Sequence, residues 1–218
     1  MLSSSRVAVA GTAFIEPCLP CFAREPPCGP DWLHEIKFDG YRALIHRDGN
    51  SARLFTRRGY DWTHRFPAIV SAANAVRAKS FLIDGEAVWC DENGLPVFNR
   101  LRQRQYEPAV FLYAFDLIHL NGRDLRDEPI ESRKALLSEV MSGAGFGLQL
   151  SDNIGEDVLI LFEHACKLGL EGIVSKRRGS RYRSGRSVDW VKMKNPDSPA
   201  VKREAEEDWA QVAGRGPG

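Results

Sequence analysis

The chain has 218 residues, 43% of them hydrophobic and 27% charged, a balance typical of a soluble globular protein with a packed core. Its 30 basic residues nearly match its 29 acidic residues, so overall charge predicts no polyanionic partner, and no apolar run is long enough to span a membrane. We therefore expect a cytoplasmic, monomeric protein without a membrane partner.

The amino-terminal region is predicted to be irregular. Residues 1–13 are weakly apolar without the layout of a signal peptide, and we interpret them as a loose leader. Residues 16–32 are rich in proline, which fixes the backbone and denies ladder hydrogen bonds, so an extended lead-in is expected. Cys18, Cys21 and Cys28 lie there without a second CxxC pair, which favours free thiols over a zinc site.

Strand patterns dominate the next part of the chain. Residues 32–40, WLHEIKFDG, predict a strand, and residues 41–59 predict a hairpin that turns at the DGN sequence. A helix is expected over residues 66–76, followed by a second hairpin over residues 80–98 that turns at DENG. Residues 109–122 predict a strongly apolar strand that ends in an NG turn.

The last third of the chain predicts two helices and two strands. Residues 129–142 indicate a helix with proline near its start and a polar face from its ESRK sequence. Residues 153–170 indicate an amphipathic helix closed by glycine, and residues 171–195 a strand, a basic loop and a last strand. Residues 196–218 are interpreted as a charged, disordered tail, too short to build an OB-fold domain. Residues 14–195 are therefore expected to form one α+β domain.

Charged residues lie inside or beside apolar strands in five short segments. Charges in such positions are energetically costly unless they form ion pairs or bind a ligand. Five segments of this kind therefore indicate a shared polar cleft. The chain lacks both GxxxxGK[ST] and a strand-following GxGxxG, which excludes a P-loop and a Rossmann turn. The segments are EIKFDGYR at 35–42, TRRG at 56–59, IDGEAV at 83–88, EGIVSK at 171–176 and DWVKMK at 189–194.

Six motifs in a fixed order carry a resemblance to a known family. They are K-x-D-G-x-R, R-x-G, D-G-E, F-D-x-x-x-L-N-G, E-G-I-V-x-K and W-x-K-x-K. Together they resemble the covalent nucleotidyltransferases, which comprise ATP-dependent DNA ligases, RNA ligases and mRNA capping enzymes. The sequences FDGYRA, IDGEAV and FDLIHLNGRDLR are most similar to the ligase domain of bacterial end-joining DNA ligases, and the similarity covers about residues 14–195.

The resemblance implies both a fold and an activity. The fold is an ATP-grasp-like nucleotidyltransferase (adenylation) domain, with two antiparallel sheets and flanking helices around a nucleotide cleft. The activity is that of an ATP-dependent DNA ligase, which forms a lysine–AMP intermediate and joins nicked or broken duplex DNA in repair or recombination. The family adds an OB-fold domain, so a partner protein that supplies its function is expected here. An accessory ATP- and DNA-binding module without activity, or an RNA ligase or capping enzyme, is the alternative.

By resemblance, Lys37 is the nucleophile that attacks the α-phosphate of ATP and displaces pyrophosphate. The attack requires a neutral amine, which is favoured by apolar packing from Ile36 and Phe38 and by the positive charges of Lys192 and Lys194. The same two lysines are expected to neutralise the α-phosphate as negative charge develops in the transition state. A solvated strand lysine without a catalytic role is the alternative interpretation.

The resemblance also assigns residues that hold the sugar, the phosphates and a metal ion. Arg42 and Arg57 are expected to contact the ribose and the phosphates. Glu86 is expected to bind the ribose or a metal ion, and Glu171 to help bind a divalent cation. Mg²⁺ or Mn²⁺ suits a site made of carboxylate and phosphate oxygens.

Adenine recognition is assigned to residues on neighbouring motifs. Phe115 is expected to stack on adenine with Val174 on the other face, although core packing alone would also explain this ring. Glu35 is expected to accept a hydrogen bond from the adenine amino group, through its side chain or its backbone. Ile36 belongs to the same nucleotide-binding set.

A basic loop follows the fifth motif. Its sequence KRRGSRYRSGR, residues 176–186, holds six cations among eleven residues and lies between two motifs of the nucleotide site. A flexible basic loop at the mouth of a cleft can hold a phosphate backbone without reading base sequence. The predicted DNA-backbone contacts are Lys176, Arg177, Arg178, Arg181, Arg183 and Arg186.

Overall fold

The computed structural model describes residues 14–103, 109–155 and 157–213, so the expected leader, residues 1–13, lies outside the described residues. Among them, no helix is long and apolar enough to cross a membrane. The strands are β1 (Cys18–Phe22), β2 (Trp32–Lys37), β3 (Tyr41–Asp48), β4 (Ser51–Thr56), β5 (Ser80–Val88), β6 (Phe111–Leu120), β7 (Arg123–Asp124), β8 (Leu148–Leu150), β9 (Gly172–Arg177) and β10 (Gly185–Lys194). The helices are α1 (Pro67–Ala75), α2 (Phe98–Arg102), α3 (Ile130–Met141), α4 (Val158–Lys167) and α5 (Pro199–Ala213).

Two sheets organise the domain. The smaller sheet has the strand order β1–β10–β9–β2, and the larger has the order β4–β3–β5–β6–β7, with β8 paired to β6. The predicted α+β fold with two sheets and flanking helices is therefore confirmed. Two pairs are parallel rather than antiparallel, β1 with β10 and β6 with β8. Parallel pairing needs a long connection, and α3 lies in the segment between β6 and β8.

The first predicted hairpin is present and the second is present only in part. β3 and β4 pair antiparallel, and Gly49 in their turn takes φ 57°, which glycine adopts without strain. After β5, the predicted turn closes through a hydrogen bond from Gly94 N–H to the Asp91 carbonyl. The return segment then forms only the isolated bridge between Cys90 and Pro96. Proline has no N–H to donate to a ladder, which explains why no second strand develops there.

The segment after β10 differs from the expected disordered tail. Within residues 196–218, Pro199–Ala213 form the helix α5. The Ser198 hydroxyl accepts a hydrogen bond from Val201 N–H at 3.2 Å, and proline occupies the first helical position. The alanine, lysine, arginine and glutamate residues that follow are strong helix formers, so the charged sequence builds a helix.

Apolar side chains form three clusters that fix the sheets relative to one another. The largest packs α1 and α3 on one face of the larger sheet, and a second lies between the two sheets. The third packs α4 on the outer face of the smaller sheet and includes Ile36, Ile173 and Met193. Side chains alternate along a strand, so the neighbours of these three residues point to the opposite face, toward the larger sheet.

Candidate active site

A cavity of about 810 Å³ opens between the two sheets and is lined by residues from all six sequence motifs. The domain therefore brings together segments that are far apart in the chain. The predicted residues that line the cavity are Glu35, Ile36, Lys37, Arg42, Arg57, Glu86, Phe115, Glu171, Val174 and Lys192, together with Lys176 and Arg186 of the basic loop.

Lys37 is the last residue of β2 and reaches into this cavity. Its Nζ lies 2.7 Å from Glu171 Oε2, and 21% of the lysine side chain is exposed. Phe38 stacks on Tyr113 with ring centroids 3.9 Å apart, while Ile36 packs into the cluster under α4. Apolar neighbours thus hold the strand on both sides of Lys37 and leave its amine accessible from the cavity. Their predicted effect on the charge of the amine stays a prediction.

The register of the smaller sheet explains how the motif lysines meet. Gly172 on β9 pairs with Lys37 on one side and with Lys194 on the other. Val174, two residues further along β9, pairs with Lys192. Residues that pair across antiparallel strands point to the same face, so all three lysines share the cleft face of the sheet.

Two motif glycines are required by the close approach of neighbouring backbone. A Cβ on Gly172 would lie 2.0 Å from the carbonyl oxygen of Met193, and one on Gly40 would lie 2.2 Å from that of Ala87. Gly172 also takes φ 143°, in the region that favours glycine. Glycine at these two positions therefore lets the motif segments pack at the distances that bring Lys37 to Glu171.

Glu86 and Glu171 are carboxylates whose charge the cleft does not fully compensate. Burial raises the pKa of Glu86 to about 7, although Lys37 and Arg42 oppose that shift. Burial also raises the pKa of Glu171, and its Oε1 has no hydrogen-bond partner among the described residues. Both groups are therefore suited to receive a positively charged ligand.

The two carboxylates match the protein ligands that Mg²⁺ or Mn²⁺ requires when it arrives with a nucleotide. Mg²⁺ is usually bound through one or two carboxylates, with substrate phosphates and water completing its coordination. In residues 14–103, 109–155 and 157–213, no group of three or more potential ligand side chains is found. Glu86 and Glu171 consequently fit a cation shared with phosphate rather than a site made by protein alone.

Arg42 is fixed beside the cavity by a bidentate ion pair. Its Nε and Nη2 donate to the two carboxylate oxygens of Asp84, each at 2.6 Å, and Nη2 also donates to the Cys18 carbonyl at 3.0 Å. Its guanidinium lies 4.4 Å from the Phe115 ring centroid. Arg57, the second predicted arginine, is exposed at the cavity rim. Asp84, to which the sequence assigned no role, thus fixes a predicted nucleotide-binding residue.

Glu35 belongs to a buried ion network, which we call the Glu35 network and which comprises Glu35, Lys134 and Lys176. Glu35 Oε1 accepts from Lys134 Nζ and Lys176 Nζ, each at 2.8 Å, and the Ser151 hydroxyl donates to Oε2 at 3.3 Å. Burial alone would raise the pKa of Glu35, but the two cations hold it below its usual value. An adenine amino group would therefore compete with two lysines for this carboxylate.

Two sequence predictions about cations in or beside this network are wrong. Lys176, predicted to contact DNA, is 1% exposed, and its Nζ lies 4.6 Å from the Phe115 ring centroid and 4.3 Å from that of Trp190. Burial lowers the pKa of Lys176 to about 8. Lys134 and Arg133, expected on the polar face of their helix, are both buried. Long apolar stems carry these cations inward to buried carboxylates, which a charge pattern alone does not reveal.

Phe115 lies in the cavity wall, as its predicted role requires, but two cations already approach its ring. The Arg42 guanidinium and Lys176 Nζ are 4.4 Å and 4.6 Å from its centroid. Val174 also lines the cavity. Stacking of adenine on Phe115 stays a prediction, and the base would have to share or displace one of these cation–π contacts.

Lys192 and Lys194 differ in position, because Lys194 is not among the residues that line the cavity. Lys192 lines the cavity, and its pKa is lowered by burial and then by the positive charges of Lys194 and Lys37. Lys194 forms an ion pair with Glu204 of α5. Arg203, the preceding residue of α5, donates to Asp39 at 2.6 and 3.1 Å and also lines the cavity. Phosphates that bind at Lys194 must therefore displace the Glu204 carboxylate.

The basic loop presents five arginines to solvent and is held in place by its backbone. Arg178 N–H donates to the Asp31 carbonyl and Tyr182 N–H to the Arg126 carbonyl, each at 2.8 Å. These contacts, with others at either end of the loop, argue against the flexibility expected from its sequence. Its predicted DNA-backbone residues that are exposed are Arg177, Arg178, Arg181, Arg183 and Arg186.

Comparison with known sequences agrees with these features. A sequence model of the family described as "ATP dependent DNA ligase domain" matches residues 26–194. The multifunctional non-homologous end joining protein LigD of Pseudomonas aeruginosa is 40% identical over 186 residues, which cover 83% of this chain and 22% of that protein. The Mycobacterium tuberculosis DNA repair protein LigD is 35% identical over 78% of this chain and 22% of its own length. The chain thus spans about a fifth of the length of these relatives.

Comparison with solved structures agrees as well. The ligase domain of M. tuberculosis LigD has a TM-score of 0.74 and 32% identity, covering 83% of this chain and 59% of that chain. A mycobacterial DNA ligase D complexed with ATP and MES has a TM-score of 0.73 and 31% identity, covering 83% of this chain and 60% of that chain. The predicted adenylation-domain fold is confirmed by this likeness.

Proposed function

The chain belongs to the ATP-dependent DNA ligase family, and we propose that it uses ATP to form a lysine–AMP intermediate at Lys37 and joins nicks or ends of duplex DNA in repair or recombination. One observation carries the proposal: Lys37 enters the shared cavity with its amine 2.7 Å from the buried carboxylate of Glu171. The similar mycobacterial DNA ligase D was solved in complex with ATP, which supports ATP as the substrate.

The contact between Lys37 and Glu171 supplies the proton transfer that the first step needs. A protonated amine has no lone pair, so Lys37 Nζ must lose a proton before it attacks. Burial raises the pKa of Glu171, which makes its Oε2 a better acceptor for that proton. The Nζ lone pair then forms a bond to the α-phosphorus, the bond from that phosphorus to the bridging oxygen breaks, and pyrophosphate leaves with the electron pair.

The remaining cavity residues bind and orient the nucleotide. Arg42 and Arg57 would hold the ribose and phosphates, and Phe115 with Val174 would enclose adenine beside Glu35 and Ile36. Lys192, exposed to the cavity, would neutralise charge that develops on the α-phosphate. Lys194 would join it once Glu204 is displaced.

Glu86 and Glu171 would hold a divalent cation together with the phosphates. Mg²⁺ or Mn²⁺ would supply charge neutralisation at the phosphate oxygens when bound. Glu171 would offer the cation its Oε1, the oxygen that lacks a partner among the described residues, while Oε2 faces Lys37.

DNA as the second substrate is supported by the exposed arginines and by the relatives. The side chains of Arg177, Arg178 and Arg181 are about half exposed, and each approaches a carboxylate at 3.4 to 3.9 Å. Ion pairs this exposed are weak, so a DNA backbone can replace the carboxylates. The named relatives include end-joining and repair ligases, which supports DNA ends as the substrate and repair as the setting.

The covalent intermediate is the most direct test of the proposal. Purified protein is incubated with a divalent cation and α-³²P-labelled ATP or GTP and then resolved on a denaturing gel. Wild type is compared with Lys37→Ala. Lys167→Ala is the matched control because that lysine is exposed and, among the residues that the structure describes, its ion pair is with Glu163 on the same helix. We expect label from ATP in wild type and in the control, and none in Lys37→Ala.

Other outcomes separate the alternatives. Label from GTP alone would indicate capping chemistry. No label, but joining of a pre-adenylated nick, would show that the first step needs a further component. No label and no joining would contradict the enzyme proposal and favour an accessory binding module.

A further inference from the structure

Tyr182 lies in the middle of the basic loop, yet its side chain enters the core between the two sheets. Only 3% of the residue is exposed, and its ring packs edge-on against Trp190 with centroids 5.9 Å apart. Its hydroxyl donates to Asp84 Oδ2 at 2.6 Å and accepts from Cys18 N–H at 3.1 Å. A loop with exposed arginines is thereby joined to a buried carboxylate that pairs with Arg42, a residue of the cavity wall.

The bonds around Asp84 continue from Tyr182 to Arg42. Asp84 Oδ2 accepts from both the Tyr182 hydroxyl and Arg42 Nη2, while Oδ1 accepts from Arg42 Nε. Three of the five guanidinium N–H groups lie on Nε and Nη2. No hydrogen-bond partner of Nη1 is found in the described part of the chain, and Arg42 lines the cavity. The Nη1 edge is therefore the one available to a ligand.

The direction of the Tyr182 hydrogen bond is fixed by its surroundings. Burial, together with the negative charge of Asp84, raises the pKa of Tyr182 well above its usual value. The phenol therefore stays protonated and donates to the carboxylate. The hydrogen bond that Tyr182 donates to one oxygen of Asp84 limits rotation of the carboxylate. Because Arg42 binds both oxygens of that carboxylate, the orientation of its guanidinium plane is limited as well.

Resting on the proposed function, we propose that Tyr182 is a positioning residue for the nucleotide: its hydroxyl orients Asp84, which holds Arg42 beside Phe115 with Nη1 directed at the ribose and phosphates of ATP. Tyr182 acts through Asp84 and does not itself line the cavity. The hydroxyl is the acting group, because the ring alone would satisfy the packing between the sheets. The basic loop thus contributes to binding of the nucleotide as well as presenting arginines at the surface.

Tyr182→Phe removes the hydroxyl and keeps the ring. Two quantities are measured: the dissociation constant for ATP by calorimetry in EDTA, and the KM and maximum rate of self-labelling in Mg²⁺. The variant loses the hydrogen bond to the charged Asp84 and the one that the hydroxyl accepts from Cys18 N–H, which predicts a rise of about five- to tenfold in both the dissociation constant and KM. The maximum rate is expected to stay within about twofold, because Lys37 and Glu171 are unchanged.

Two controls separate positioning from loss of stability. Ile118→Val removes one methylene from the same buried cluster and lowers stability by an amount comparable to a lost hydrogen bond, so it should leave KM unchanged. Tyr113→Phe removes a hydroxyl from a tyrosine that contacts neither Asp84 nor Arg42 among the described residues and should also leave KM unchanged. An equal rise in KM for Ile118→Val would show that Tyr182 matters only for stability.

The remaining results show separately whether the positioning role of Tyr182 and the proposed ligase function hold. If wild type is labelled and Tyr182→Phe binds ATP as wild type does, the positioning role is wrong and the ligase function stands. If wild type is not labelled but Tyr182→Phe weakens ATP binding, the positioning role stands without covalent catalysis. If wild type neither is labelled nor binds ATP, both are wrong.

Discussion

Two sets of charged residues lie at or next to the cleft and differ in how their charges are compensated. The Glu35 network has two cations on one buried carboxylate, and all three residues are buried. The second set, which we call the cleft set, comprises Lys37, Glu86 and Glu171. Its lysine is partly exposed, its carboxylates have raised pKa values, and one buried oxygen lacks a partner among the described residues.

The difference indicates which set is structural and which is reactive. Buried charges that satisfy one another hold a structure in place and have little left to offer a ligand. Buried charges that remain uncompensated destabilise the empty protein and become favourable when a ligand of opposite charge arrives. The Glu35 network therefore holds β2, β9 and α3 together, while the uncompensated charges of the cleft set fit the proposed binding of ATP and a cation.

The largest expected difference comes from the same substitution in each set. Lys37→Met should reduce covalent labelling by at least about 1,000-fold, because the nucleophile is gone, and should change the melting temperature little. Lys176→Met should lower the melting temperature by several degrees and still allow labelling at saturating ATP. The measurements are a denaturing gel and thermal unfolding. Similar labelling of the two variants would contradict the assignment of Lys37 as reactive and of Lys176 as structural.

Neutralising the carboxylate of the Glu35 network should have the next largest effect. Glu35→Gln leaves Lys134 and Lys176 charged and buried without an anion, which predicts a loss of about 3–5 kcal/mol in the free energy of unfolding. Urea denaturation measures this loss. Glu163→Gln, in an exposed pair with Lys167, should leave the free energy of unfolding unchanged within the error of the measurement. Equal effects of the two variants would contradict the structural role of Glu35.

Glu86 should make stability depend on pH in the absence of divalent cations. Burial raises its pKa from 4.5 to about 7. The folded chain therefore binds this proton more tightly than the unfolded chain, and the resulting stability is present below pH 4.5 and is lost as pH rises through about 7. In EDTA, the difference in unfolding free energy between wild type and Glu86→Gln should fall by about 3 kcal/mol over this range. A difference that does not change with pH would show that neighbouring positive charges compensate the Glu86 carboxylate in the empty cleft.

The smallest expected effect concerns α5. Glu204→Gln removes the carboxylate that forms an ion pair with Lys194, so phosphates no longer have to displace that carboxylate. The pair is partly exposed, which predicts a fall of about two- to threefold in the KM for ATP. Glu206→Gln, an exposed residue on the same helix, is the matched control. A rise in KM for Glu204→Gln would show that Glu204 supports nucleotide binding.

The motif residues could be assigned from sequence because six motifs in a fixed order resemble those of a known family. Lys37, Glu171 and Lys192 lie in one cavity. The hairpin at DGN follows from a local pattern, whereas the pairing of β2 with β9 that positions Lys37 joins distant segments and was not predicted. Lys176 could have been placed as well. It stands two residues after Val174 on β9, so alternation along the strand puts it on the cleft face rather than in the exposed loop.

The buried partners could not be predicted in the same way. Lys134 reaches Glu35 across 99 residues of sequence, and Tyr182 reaches Asp84 across 98. No periodicity links such positions, because each contact depends on how helices, loops and sheets pack in three dimensions. The ion pairs of α5 with Asp39 and Lys194 depend in the same way on the fold placing a charged helix beside the cleft.

The position of the AMP adduct tests the central claim most directly. Wild-type protein incubated with ATP and Mg²⁺ is digested, and the modified peptide is sequenced by mass spectrometry under conditions that preserve a phosphoramidate. We predict a single AMP on Lys37 and none on Lys176 or Lys192. AMP on Lys176, or on no lysine of the cleft, would contradict the assignment of Lys37 as the reactive residue.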